Sequence, residues 1–137
     1  MDDKDRFEQG MRVRREVLGS SHVDHAVANL NDFNRDFQDF LARYAWGEIW
    51  SRPGLSLKTR SLLTLAIMVA LNREEEFKMH IRAAFTNGVT RAEIQEVLLH
   101  SAIYCGLPAA NNAFQWAQQV FVSMEEIAES KISPEEA

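Results

Sequence analysis

The 137-residue sequence contains a single cysteine, Cys105. One thiol excludes an intrachain disulfide and a Cys-X-X-Cys redox pair, and it fits a reducing compartment. Glycine and proline are scarce, at six and three residues. No Gly-rich phosphate loop is present, and no stretch alternates apolar and polar residues between turn signals as a half-buried strand does. Long apolar runs are missing too. The longest nearly unbroken one, residues 62–71, includes Thr64 and is too short to span a bilayer. The opening MDDKDRFEQGM is charged and lacks the apolar centre of a signal peptide. Positive charge is in deficit: 15 Lys and Arg against 20 Asp and Glu leave a net charge of -5. This argues against nucleic acid or an anionic membrane as the main partner. The expectation is a cytoplasmic protein without a membrane or nucleic-acid partner.

What is present is helical periodicity in a chain of ordinary globular composition, 46% hydrophobic and 26% charged. The reading is a single all-α domain over 1–137, of about six to seven helices, with 1–20 a helical arm and 130–137 a frayed tail. Residues 4–18 form a basic helix closed by Gly19. Ser21 and Asp24 resemble a capping box that opens a weak segment over 22–30. Asn31 or Asn34 caps a helix carrying Phe33, Phe37, Phe40, Leu41 and Tyr44, which ends near Trp46 and Gly47. Residues 48–54 then read as a turn rich in aromatic and charged groups, the kind of loop that carries function. A third strong helix contains the 62–71 run. The stretch 74–88, EEEFKMHIRAAFTNG, puts Phe77, Ile81, Ala84 and Phe85 on one apolar stripe with His80 at its border. Thr90 and Glu93 make a capping box for a helix from Ala92, and Gly106-Leu107-Pro108 breaks it before a last helix over 109–129.

Few chemistries fit these residues. No His-X-X-X-His or Glu-X-X-His pair sets two metal ligands on one helix face, so no metal is expected. Cys105 lies on the apolar face of its helix, where a thiol is usually inert packing. The remaining groups are Glu48, Arg52, Arg60, Glu76, His80, Arg82, Glu96, His100 and Tyr104, which suit acid-base chemistry on a small anion without a cofactor. His80 is the central one, because an imidazole at the edge of a buried face can be partly desolvated and still reach a ligand. Arg60 and Lys58 stand near a helix N-terminus, against the macrodipole, which points to a ligand for Arg60; the alternatives are simple solvation of both or a pairing with Glu48 or another acid. Glu96, His100 and Tyr104 step along one helix face as a solvent stripe, a subunit contact or a pocket wall.

The segments Trp46-Gly47-Glu48-Ile49-Trp50-Ser51-Arg52-Pro53-Gly54-Leu55 and Thr59-Arg60-Ser61-Leu62-Leu63 resemble the carboxymuconolactone decarboxylases. So do His80-Ile81-Arg82-Ala83-Ala84 with Asn87-Gly88-Val89-Thr90, residues 93–100, and residues 104–111. The resemblance implies an AhpD-like helical fold, a homohexamer and a cofactor-free enzyme of the β-ketoadipate (protocatechuate) route of aromatic catabolism. The implied reaction decarboxylates 4-carboxymuconolactone to 3-oxoadipate enol-lactone. It gives His80 as proton donor, oriented by Glu48 or Glu76. Arg52 or Arg60 holds the substrate's spare carboxylate, Trp46 and Trp50 line the pocket, and His100 and Tyr104 supply oxyanion donors or the opposite wall. AhpD-like peroxidases carry two cysteines where Arg73 and Glu76 stand here, so peroxidase chemistry is not expected. A superfamily member with another substrate and a non-catalytic helical oligomer that binds a small anion are the alternatives.

Overall fold

The computed structural model describes residues 1–130 and contains seven α-helices, one π-helical segment and, among the described residues, no strand. The expected tail falls outside them except for Ser130, which ends the last helix. No described helix is long and apolar enough to cross a membrane. The chain divides into two compact units: Met1–Ser61 with Ala83–Val89, and Leu62–Arg82 with the chain from Thr90 onward.

In the first unit, α1 (Asp3–Leu18) starts at a capping box between Asp2 and Asp5 and stops at Gly19, whose φ of 91° few other residues tolerate. Gly10, Arg14 and Val17 recur at helical spacing and form its buried face. The segment expected to be an arm is therefore packed. α2 (Ser20–Ala28) follows Gly19 directly, so Ser20 and Ser21 are already helical and the Ser21 capping box does not form. Asp24 instead takes a 2.7 Å hydrogen bond from Arg15. Asn31 and Asn34 hold the next turn by reciprocal side-chain bonds of 2.9 Å (Asn31 N–H to Asn34 Oδ1) and 3.0 Å (Asn34 N–H to Asn31 Oδ1), and α3 (Arg35–Phe40) begins there.

The chain does not turn at Trp46-Gly47. It continues as a π-helix, Leu41–Trp50, so Glu48 and Trp50 are helical and the loop starts only at Ser51. In α winding, positions five apart diverge by about 140°. The wider i→i+5 winding turns less per residue and brings such positions closer to one face. That places Ala42 and Gly47 on one face with Trp46, all buried, where the π-helix packs on α1 at Gly10. Val17, Trp46 and Ala83 centre this unit's core, with Val13, Leu18, Leu41, Ala45, Trp50 and Leu57 against it. Asn87 closes the unit by donating to Ser61 Oγ at 2.9 Å and to the Leu57 carbonyl at 3.4 Å.

α4 (Leu57–Leu71) starts on a Ser56 cap, the Thr59 N–H donating to Ser56 Oγ at 3.1 Å. It ends at Asn72, whose positive φ of 57° suits asparagine. α5 (Glu74–Thr86) is closed by Gly88 at φ 88°. In the second unit Leu65 and Val69 of α4 and Phe77 and Ile81 of α5 are buried at four-residue spacing. Phe77 meets Trp116 with ring centroids 5.8 Å apart. α6 (Arg91–Cys105) packs along α7 (Leu107–Ser130) through Ile94 and Leu98 against the small residues Ala110, Ala113 and Ala117. Only Gly106, at φ 96°, separates these helices. Leu107 and Pro108 fall in the first turn of α7, where a proline's missing N–H costs nothing.

The expected box opens α6: the Glu93 N–H donates to Thr90 Oγ1 at 3.1 Å, and the Thr90 N–H to Glu93 Oε1 at 2.9 Å. Thr90→Ala is expected to lower stability by about 1 kcal/mol, and Thr90→Ser to restore most of it. Urea unfolding of the three proteins checks this; equal midpoints would mean that packing alone holds the helix start.

Candidate active site

The first unit carries five of the nine expected site residues. The π-helix supplies Trp46, Glu48 and Trp50. Trp46 is buried and stacks on the half-buried Trp50, ring centroids 4.9 Å apart and planes 27° from parallel. Glu48 points to α1, accepting a long 3.4 Å bond from Arg6 Nε. Desolvation of Arg6 works the other way, but the Glu48 hydrogen bond and the charges of Glu48, Tyr44 and Asp3 raise its pKa overall. The Ser51 hydroxyl donates to the Gly47 carbonyl at 2.5 Å, which ties the start of the loop to the π-helix. Arg60 reaches back from α4 and donates to the Arg52 carbonyl at 3.2 Å. The compensation expected for a cation at this helix start is thus in part a backbone oxygen. Arg60 fastens the loop that presents Arg52.

Arg52 itself is exposed and lines a cavity of about 500 Å³ with Trp50, Ser51 and Leu57. The other wall comes from α1: Gln9, Arg12 and Glu16. The sequence reading missed these three. Their spacing puts them on one polar face of α1, which is the signal that could have found them. Two guanidiniums against one carboxylate favour an anionic ligand, and the Trp50 ring and Leu57 offer it an apolar side.

The second unit carries the other four. His80 is buried, at 8% exposure, in the middle of α5 between the fully buried Phe77 and Ile81. Its place is deeper than the border position expected. Glu76, one turn earlier, is exposed, as the triple acidic start of α5 is generally. His100 and Tyr104 are neighbours on α6, their rings tilted by 35° with centroids 5.1 Å apart. Both are exposed, with Leu99 and Ile103 beside them, while Ile94, Leu98 and Ser101 form the buried face of the helix. Within one chain the ladder is therefore a surface stripe. Cys105 is a half-buried free thiol.

Residues 35–119 match the model of the carboxymuconolactone decarboxylase family. The chain is 56% identical over 121 residues to a 4-carboxymuconolactone decarboxylase of Acinetobacter baylyi, covering 88% of this chain and 90% of the relative. It is 42% identical over 125 residues to the nitrosuccinic acid decarboxylase npaB of Metarhizium robertsii, covering 91% of this chain and 87% of that one. A 48-residue sequence of Pseudomonas putida, also a 4-carboxymuconolactone decarboxylase, matches over its whole length at 52% identity and covers 35% of this chain. The family model covers more than half of the chain and the relatives match nearly all of it, so the chain belongs to the carboxymuconolactone decarboxylase family.

Proposed function

We infer that this protein decarboxylates 4-carboxymuconolactone to 3-oxoadipate enol-lactone, in the protocatechuate branch of aromatic catabolism. The observation that carries the reading is the 56% identity, across 88% of the chain, to the relative of that activity. The chemistry is feasible with side chains alone. The departing carboxylate stands on the γ carbon of an unsaturated lactone. As the carbon–carbon bond breaks, CO2 leaves and the electron pair spreads through the double bond onto the lactone carbonyl. The resulting dienolate then takes a proton at its α carbon, which moves the double bond and gives the enol-lactone.

His80 is the proton donor. It gives its proton to carbon and recovers one from solvent, and its burial limits competing water. Glu76, one turn earlier on α5, is the acid proposed to orient it, since Glu48 accepts from Arg6 of α1. Arg52, with Arg12 on the facing wall of the cavity, holds the acetate carboxylate of the substrate, and Arg60 fixes the Arg52 loop. Trp50, stacked on Trp46, gives the Arg52 cavity its apolar side and keeps water from it. Donors aimed at the dienolate oxygen are each worth on the order of 3 kcal/mol, a role for which His100 and Tyr104 are proposed. The exposed Leu99, Ile103, Tyr104 and Leu107 support burial of this face between copies, in a cytoplasmic homohexamer.

The test is a direct assay with 4-carboxymuconolactone, in the presence of chelator and without added cofactor, following CO2 and enol-lactone. Turnover establishes the reaction. A folded protein that leaves the lactone intact but releases CO2 from nitrosuccinic acid would move the assignment toward the chemistry named for the Metarhizium relative. Arg52→Gln is expected to raise KM about tenfold or more with a smaller change in kcat, because it removes carboxylate binding common to substrate and transition state. Steady-state kinetics check this; an unchanged KM would remove Arg52 from the carboxylate site.

A further inference from the structure

Another arginine, outside the residues assigned above, has the surroundings of a binding site. Arg14 lies on the buried face of α1 and is only 6% exposed. Among the described residues it donates to the neutral amide oxygen of Gln38, at 3.2 Å, and its buried Nε meets no acceptor. Arginine keeps its charge at any ordinary pH, so the chain encloses a cation beside a neutral acceptor, an arrangement that calls for a counterion. The downward push of burial on the Arg14 pKa has the same cause.

Arg14 lines a cavity of about 340 Å³, within the size range of small-molecule sites. Phe7 and Met11 of α1, Val27 of α2 and Leu30 give it an apolar wall. Two acids also border it. Asp39 is engaged by Arg43 Nε at 3.0 Å, Asp36 is exposed to solvent, and Arg35, which also borders the cavity, pairs with Asp32 at 3.3 Å. The buried charge is the cation. We propose that this cavity binds a small carboxylate with a short apolar body, its oxygens on the Arg14 guanidinium and its carbon chain against Phe7, Met11, Val27 and Leu30.

His22 reports on the site from α2. Partial desolvation, the Arg14 charge and His25 hold its pKa below the ordinary imidazole value. A carboxylate on Arg14 cancels part of that field, so His22 titrates higher in the complex. The experiment is a hexanoate titration of the whole protein, read by calorimetry and by the His22 imidazole resonances, with hexanol as the uncharged control. Saturable binding that raises the His22 pKa, with no comparable binding of hexanol, is expected. Arg14→Gln is expected to weaken hexanoate by about tenfold or more, the loss that goes with one charge-assisted contact. Because Arg14→Gln could unfold the unit, Val27→Phe provides a second arm. Val27 is 44% exposed, so the larger ring is tolerated by the fold and fills the cavity, and hexanoate binding is expected to be lost. The proposal is overturned by no saturable binding, by equal affinity for hexanol, or by affinity that survives both substitutions. A His22 shift that follows protein concentration without hexanoate would assign the carboxylate to a neighbouring copy, and that also overturns it.

Discussion

His80→Gln is expected to lower kcat on 4-carboxymuconolactone by about two to four powers of ten, with KM, melting temperature and assembly unchanged. Such a loss corresponds to roughly 3 to 5 kcal/mol of barrier. Glutamine keeps a polar, hydrogen-bonding side chain of similar reach at a position that is 8% exposed, so the packing between Phe77 and Ile81 survives. It cannot carry and deliver a proton. If His80 were only a packed residue with satisfied nitrogens, the substitution would change stability and leave turnover alone. The deciding measurement is kcat alongside a thermal melt of the same preparation. A variant within about threefold of the parent kcat, with its fold intact, would sink the proton-donor role.

Gly10→Ala is expected to destabilise the first unit by about 3 kcal/mol or more and to lower its melting temperature by about 10 °C or more. A β carbon at Gly10 would run into the Ala42 carbonyl and stand 2.9 Å from the Gly47 nitrogen. All of these are backbone atoms, so no side chain can swing aside. The better helix propensity of alanine returns only about 1 kcal/mol. Gly54→Ala is the control: nothing lies within 4 Å of the β carbon it would add, and stability is expected to stay within about 0.5 kcal/mol. Thermal and urea unfolding of both variants decide. A Gly10→Ala protein as stable as the parent would mean that α1 and the π-helix can part without cost, contrary to the close approach seen.

Much of the fold was legible because helix ends are written locally. Gly19, Gly88 and Gly106 each sit at positive φ where a helix ends, and the Thr90–Glu93 box opens α6 as its four-residue pattern requires. The Ser21–Asp24 pattern is equally local and failed, because Gly19 leads straight into α2 and leaves no non-helical residue for a serine cap. Of the site, the tryptophan pair and the Arg52 loop were found by residue type and by family resemblance. Arg12 and Gln9 were not: their spacing marks one polar face of α1, but only the packing of the loop after Trp50 against that face makes it a cavity wall.

The sequence by itself determined the all-α class, the family and the helix that carries His80, since periodicity and motif spacing act over a few turns, while the depth of His80 came from packing. Only the tertiary structure decided that residues 41–50 wind as a π-helix, that Arg12 joins Arg52 on one cavity, and that Arg14 is enclosed beside a neutral amide. Each depends on atoms far apart in the chain: Gly10 meeting Ala42 and Gly47, α1 meeting the loop after Trp50, and α1 meeting Gln38. Local preference does not encode such meetings. They follow from how closely two backbones can approach and from which charges that approach removes from water.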